Sequence, residues 1–108
     1  MVGIPLVTAG EFKDKILEAE KPAMVWFTVP NCPPCRAIAS RVEEVAGEYG
    51  EEVLFYRLNI EEHAEKAREY NVTSTPTLIF FKGGGEIARL DAFPSKEEII
   101  EVIKEIRR

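Results

Sequence analysis

The sequence predicts an α/β protein, a mixed five-stranded sheet flanked by four helices in the order β-α-β-α-β-α-β-β-α. Three observations carry this. Continuous apolar runs bounded by breakers alternate with segments of helical apolar spacing, two capping boxes mark helix starts, and a triple glycine separates two strand-like runs near the C-terminal end. The 108 residues fit one domain, 1–108, because a chain of this length builds one hydrophobic core and leaves little for a second.

Ile4 to Val7 is a short apolar run, and Thr8-Ala-Gly-Glu11 has capping-box spacing ahead of Phe12, Ile16 and Leu17 on one helical face. Pro22 breaks that pattern. Ala23 to Val29 is then continuously apolar and ends at Pro30, as expected of a strand covered on both faces. The next helix carries Cys35, Ile38, Ala39, Val42, Val45, Ala46 and Tyr49 at helical spacing and closes near Gly47 to Gly50. Val53 to Leu58 reads as another buried strand, and Asn59-Ile-Glu-Glu62 as the cap of a shorter helix through Tyr70. Asn71 suits the left-handed residue that closes it, a better account of Asn71-Val-Thr73 than glycosylation. Thr77 to Lys82, Gly83 to Gly85 and Glu86 to Asp91 form a hairpin, and Ser95-Lys-Glu-Glu98 caps a last helix burying Ile99, Ile103 and Ile106. Arg107 and Arg108 fall where a helix C-terminus favours positive charge. Right-handed crossovers make the first three strands parallel, and the hairpin completes the sheet.

Composition narrows the function. Hydrophobic residues are 45% and charged residues 31%, enough apolar surface to fold. A net charge of −5, with Lys and Arg interspersed among Glu, argues against nucleic acid or an anionic membrane as partner. No apolar run approaches a membrane span, and Met1 to Gly10 lacks the form of an export signal, so a cytoplasmic protein is expected. Phe80 and Phe81 read as core packing, since no basic groove accompanies them.

In that setting the two cysteines, spaced Cys32-Pro33-Pro34-Cys35, point to redox chemistry. A structural zinc takes four protein ligands, and two Cys with one His do not supply them, so neither a metal nor a cofactor is expected. His63, in a Glu-rich helix, is expected on the surface without a role. A thiol attacks a disulfide as its thiolate, which a helix N-terminus stabilises through unpaired N–H groups and the macrodipole. Cys32 at the helix start is therefore expected to be the accessible nucleophile. Cys35, one turn on and in line with Ile38 and Val42, is expected to be the buried resolving thiol. Pro33 and Pro34 stiffen the active-site turn. They leave the Cys35 N–H as a donor to the Cys32 sulfur, while Pro33 removes one that another residue would supply.

Taken together, an apolar strand leading into C-x-P-C, Arg57-Leu-Asn-Ile60, Tyr70-Asn-Val72, Thr75-Pro76-Thr77 and a Lys82-Gly-Gly turn, the chain resembles the thioredoxin family. The resemblance implies a cis Thr75-Pro76 bond facing the Cys32 sulfur. It also implies backbone near Thr75 that pairs with an extended substrate, and a docking rim of Asn31, Pro33, Ile60, Val72 and Thr75 beside Pro76. It further implies a monomeric protein-disulfide reductase recycled by a separate disulfide reductase. A dithiol oxidase or isomerase, or a non-catalytic binding module, is the alternative. Three departures stand out. Asn31 and Pro33 replace the family's Trp and Gly; Trp26 falls where the family has a buried Asp; and the family's glycine beside the site falls near Asp91 and Ala92. Arg57 is open between a place near the buried thiol and an ordinary strand-end arginine.

Overall fold

The computed structural model describes residues 4–107; Arg108 of the expected helix terminus and Met1 to Gly3 of the leader reading lie outside them. Four strands are found among the described residues: β1 (Ala23–Thr28), β2 (Leu54–Asn59), β3 (Thr77–Lys82) and β4 (Gly85–Asp91), ordered β2-β1-β3-β4 across one sheet. β1 and β2 are parallel, and β3 is antiparallel to both β1 and β4. The expected fifth strand, Ile4 to Val7, is reduced to one parallel bridge, Leu6 to Arg57, held by Val7 N–H to the Arg57 carbonyl and Arg57 N–H to the Pro5 carbonyl, both 2.8 Å. Pro5 has no N–H to extend the ladder, and Thr8 is already committed to a cap.

The helices are α1 (Pro33–Tyr49), α2 (Ala64–Glu69) and α3 (Lys96–Ile106), preceded by an irregular helical segment. Its Thr8/Glu11 capping box forms as predicted, but the segment is a 3₁₀ turn at Ala9–Glu11 running into a wide turn at Lys13–Leu17 instead of one regular helix. The Ser95/Glu98 box caps α3, which buries Ile99, Ile103 and Ile106. Asn59 does not cap α2. Its carboxamide oxygen accepts from Glu61 N–H at 2.9 Å, one turn early, and His63 occupies the N-cap. His63 is half-buried, correcting the surface assignment, and its Nδ1 accepts from Ala9 N–H at 3.4 Å, tying α2 to the N-terminal segment.

β1 separates two apolar layers. Met24 and Trp26 face Ile38, Val42, Ile99 and Ile103 of α1 and α3, while Val25 and Phe27 face Phe12, Ile16 and Ala67. Each fully buried side chain of this size contributes about 1.5–3 kcal/mol. β2 is less covered than predicted, burying only Phe55 and Leu58, because its outer neighbour is the single Leu6 bridge. Gly83 and Gly84, with φ of 66° and 90°, make the two-residue hairpin turn between β3 and β4.

These pairings send the chain off one edge of the sheet at four places. Thr28 pairs with Asn59, Phe27 with Thr77, and Thr77 with Asp91, so the segments after β1, after β2, before β3 and after β4 share that edge. Arg89 of β4 fixes the approach to β3, donating to the Tyr70 carbonyl at 2.6 Å while Glu86 holds it at 2.7 Å. Asn71 is left-handed (φ 56°), as predicted.

Ala92, after β4, is also left-handed, with φ 65° and an exposed side chain. That conformation costs an L-residue about 1–2 kcal/mol, against about 0.5–1 kcal/mol of extra chain entropy for glycine. Ala92→Gly is expected to raise stability by about 0.5–1 kcal/mol in urea denaturation; an unchanged or lower midpoint would show that Ala92 is not strained.

Candidate active site

After Thr28 the chain turns through Val29, Pro30 and Asn31, and Asn31 adopts a left-handed φ of 39° that asparagine tolerates better than most residues. The turn delivers Cys32 in extended backbone to the N-cap of α1. Pro33 and Pro34 fill the first two helical positions, as predicted, and neither has an N–H. The N–H of Cys35 is therefore the sole donor of the first turn, and it donates to Cys32 Sγ at 3.1 Å.

The two cysteines form a disulfide, with Cα atoms 5.2 Å apart. The expected difference in accessibility is not seen, for Cys32 is 5% exposed and Cys35 4%. Bonded to each other, both sulfurs belong to the apolar cluster that contains Trp26, Leu78 and Ile38. What separates them is hydrogen bonding. Cys32 Sγ takes the Cys35 N–H and lies 3.3 Å from the Thr75 hydroxyl. The Thr75–Pro76 bond is cis and Pro76 is buried.

The other docking-rim residues are distributed around this pair. Asn31 and Pro33 are exposed beside Cys32. Ile60 is held at the same sheet edge by its N–H to the Thr28 carbonyl at 2.9 Å, although its side chain, like Val72, packs half-buried against the second apolar layer. Two features escaped the sequence reading. The Thr75 side chain, not only its backbone, reaches the sulfur, a contact that a hydroxyl immediately before the cis proline could have signalled. Phe93, two residues beyond Asp91 and so at the Thr77 edge, is 60% exposed, a large apolar side chain following β4 at that edge.

Trp26 fills the space under the disulfide with a ring that is 5% exposed, and its Nε1–H is buried with no acceptor among the described residues. Trp26 also lines a cleft that Cys32, Cys35, Arg36 and Arg57 share, which places Arg57 beside the thiol pair. Its Nε additionally donates to the Ile4 carbonyl at 2.8 Å. Among the described residues no cluster of three or more His, Cys, Asp or Glu is arranged to hold a metal, and no helix is long and apolar enough to cross a membrane.

A cysteine pair on a helix N-terminus, set at the edge of a mixed sheet against a cis proline, defines a dithiol–disulfide redox centre. Comparison with known proteins agrees. The thioredoxin family model matches residues 3–105. The chain is 38% identical over 93 residues to the chloroplastic M-type thioredoxin of Chlamydomonas reinhardtii, covering 86% of this chain and 66% of that protein. It is 38% identical over 87 residues to the thioredoxin of Synechocystis, covering 81% of each. It is also 31% identical over 100 residues to the bifunctional thioredoxin reductase/thioredoxin of Mycobacterium leprae, of which it spans 22%. The chain belongs to the thioredoxin family, with the α/β fold of that family.

The Thr75 hydroxyl is one of two groups placed to stabilise a Cys32 thiolate, and one such bond is worth about 1 kcal/mol or somewhat more to a charged acceptor. In the reduced protein, Thr75→Val is expected to slow alkylation of Cys32 by iodoacetamide about fivefold at pH 7 and to move the pH–rate midpoint upward, with Thr75→Ser close to wild type. Equal rates for all three proteins would remove the hydroxyl from the site.

Proposed function

We propose that this chain, as a single domain over residues 1–108, is a dithiol–disulfide oxidoreductase that reduces protein disulfides through Cys32 and Cys35. The observation that carries the reading is the sulfur of Cys32 capping α1, with the Cys35 N–H and the Thr75 hydroxyl directed at it. Those donors stabilise a thiolate at Cys32 and supply none to Cys35, which assigns attack to the first sulfur and resolution to the second. The Cys32 thiolate attacks a substrate disulfide and expels one substrate thiolate. Cys35 then attacks Cys32 Sγ, closing the intramolecular disulfide and releasing the second substrate thiol.

An extended substrate segment approaches over Asn31, Pro33 and Phe93 and pairs with backbone at Thr75, with Pro76, Ile60 and Val72 shaping the groove. Pro33 and Pro34 hold the C-P-P-C turn rigid. The oxidised pair returns to dithiol at the expense of a separate disulfide reductase. Support for that partnership comes from the mycobacterial relative, whose name joins a thioredoxin reductase to a thioredoxin. A monomer in a reducing compartment, the cytoplasm, with no bound cofactor or metal, suits this cycle.

Cys32→Ser is expected to reduce insulin-disulfide reduction to background, whereas Cys35→Ser accumulates a substrate mixed disulfide visible on a non-reducing gel. Swapped phenotypes would reverse the roles, and a wild-type protein that reduces nothing would leave a binding module.

Trp26 gives a further expectation. Among the described residues lining the cleft at Cys35 none is acidic, so its proton is expected to pass to another group, to water or to the departing thiolate, with resolution slow at neutral pH. Trp26→Asp is expected to speed release of the mixed disulfide in stopped flow near pH 7, while costing about 3 kcal/mol or more of stability through the lost ring and the buried acid. A folded variant resolving no faster than wild type would show that another acceptor already serves Cys35.

A further inference from the structure

The cleft beside the disulfide has a volume of about 420 Å³. One wall is a row across the sheet, Leu6, Arg57 and Trp26, which are register neighbours; the other is the first turn of α1, with Cys32, Cys35 and Arg36. None of the residues lining it is acidic, in a chain with 19 Asp and Glu and a net charge of −5. Neither arginine is neutralised. The Arg36 side chain has no hydrogen bond or ion pair among the described residues, and Arg57 has only its Nε bond to the Ile4 carbonyl. Of the other described arginines, Arg89 pairs with Glu86 and Arg107 with Glu52, whereas Arg41 donates to the Pro94 carbonyl.

Two guanidinium groups without an acidic partner in a concavity favour an anion, and Arg binds a carboxylate through paired, charge-assisted hydrogen bonds. The N-terminus of the 17-residue α1 adds potential of the same sign. The volume lies in the range of small-molecule sites, roughly 300–1,000 Å³. Of the residues assigned to extended-peptide docking only Asn31 lines it, so the cleft is a second approach to the same sulfurs.

We propose that this cleft holds the carboxylate of a small anionic disulfide while Cys32 attacks it, giving the protein a low-molecular-weight disulfide substrate in addition to proteins. The proposal rests on the reductase reading above. With a substrate RSSR whose R group ends in a carboxylate, the Cys32 thiolate forms Cys32–S–S–R and expels RS⁻, and Cys35 then displaces the second RS⁻ from Cys32. Two electrons pass from the protein dithiol to the substrate, and the two protons of the dithiol end on two RSH. Dithiothreitol restores the dithiol in the assay.

The test compares 3,3′-dithiodipropionate with cystamine, which share a two-carbon spacer and carry opposite charge, each normalised to its rate with dithiothreitol alone. The protein's net negative charge favours cystamine, so a preference for the anion reports the cleft. Wild type is expected to favour dithiodipropionate in kcat/KM by about tenfold or more, and Arg36→Gln/Arg57→Gln to lose about tenfold of that ratio. A wild-type ratio near one, or a ratio unmoved in the double variant, with insulin still reduced by wild type, overturns the cleft and leaves the reductase. If wild type fails on insulin, the reductase reading falls. The cleft is then judged by alkylation of reduced Cys32, where a several-fold higher iodoacetate-to-iodoacetamide rate ratio in wild type than in the double variant upholds anion binding, and equal ratios refute it.

Discussion

The site depends on the hydrogen bond from the Cys35 N–H to the Cys32 sulfur. A helix start leaves N–H groups without partners, and something must accept them. Here two prolines remove the first two N–H groups, so the whole demand of the first turn falls on one donor, and a sulfur meets it. The same bond therefore ends α1 and presents the reactive atom. It also fixes which cysteine that is, because a sulfur at the N-cap receives the donor and a sulfur one turn later cannot.

The sheet explains why distant residues surround that atom. Parallel β1 and β2 leave the sheet at the same edge, antiparallel β3 enters there, and β4 leaves there. Cys32, Ile60, Thr75 and Phe93 are thus neighbours by topology although more than sixty residues of chain separate the first from the last. The apolar layers hold the edge in place: Trp26 and Leu78 bind β1 and β3 to α1 and α3 on one face, and Phe27 and Ile79 anchor the other face to Phe12 and Ala67. Arg89 ties the loop after α2 to β4, which keeps the approach to Thr75 fixed relative to Cys32.

Local chemistry was legible in the sequence because its causes are local. Both capping boxes, the doubly covered β1, the glycine turn and the prolines at the start of α1 are set by residues within a few positions of one another. Most of what was misread depended on contacts made across the fold. Ile4 to Val7 is apolar enough for a strand, yet Pro5 leaves it one bridge; β2 has a buried strand's composition, yet its outer side has little to cover it. His63 looks like surface until Ala9, 54 residues earlier, supplies an N–H. The Thr75 hydroxyl reaches across 43 residues to Cys32, and no periodicity reports such a pair. The sequence did reveal that Trp26 brings no acid; that its indole N–H would be buried without an acceptor follows only from packing.

The direction of electron flow follows from how much help the thiolate receives. A reduced pair held by many donors and buried cations is stabilised as thiolate, which raises the reduction potential and makes an oxidant. In this chain Cys32 has one backbone donor, since the prolines have removed two, and one hydroxyl. The cations nearby give less than their number suggests. Arg36 is exposed and Arg57 only half-buried, so water and salt screen both, while the buried face under the pair is the apolar ring of Trp26. An apolar floor with few donors disfavours the charged, reduced form and favours the disulfide. That balance makes the dithiol readier to give electrons than to keep them, which is the behaviour of a reductant. It also assigns the two arginines a different use from redox tuning: lining the cleft, partly solvated and without an acidic partner, they are better placed to select what approaches Cys32 than to set how strongly it reduces.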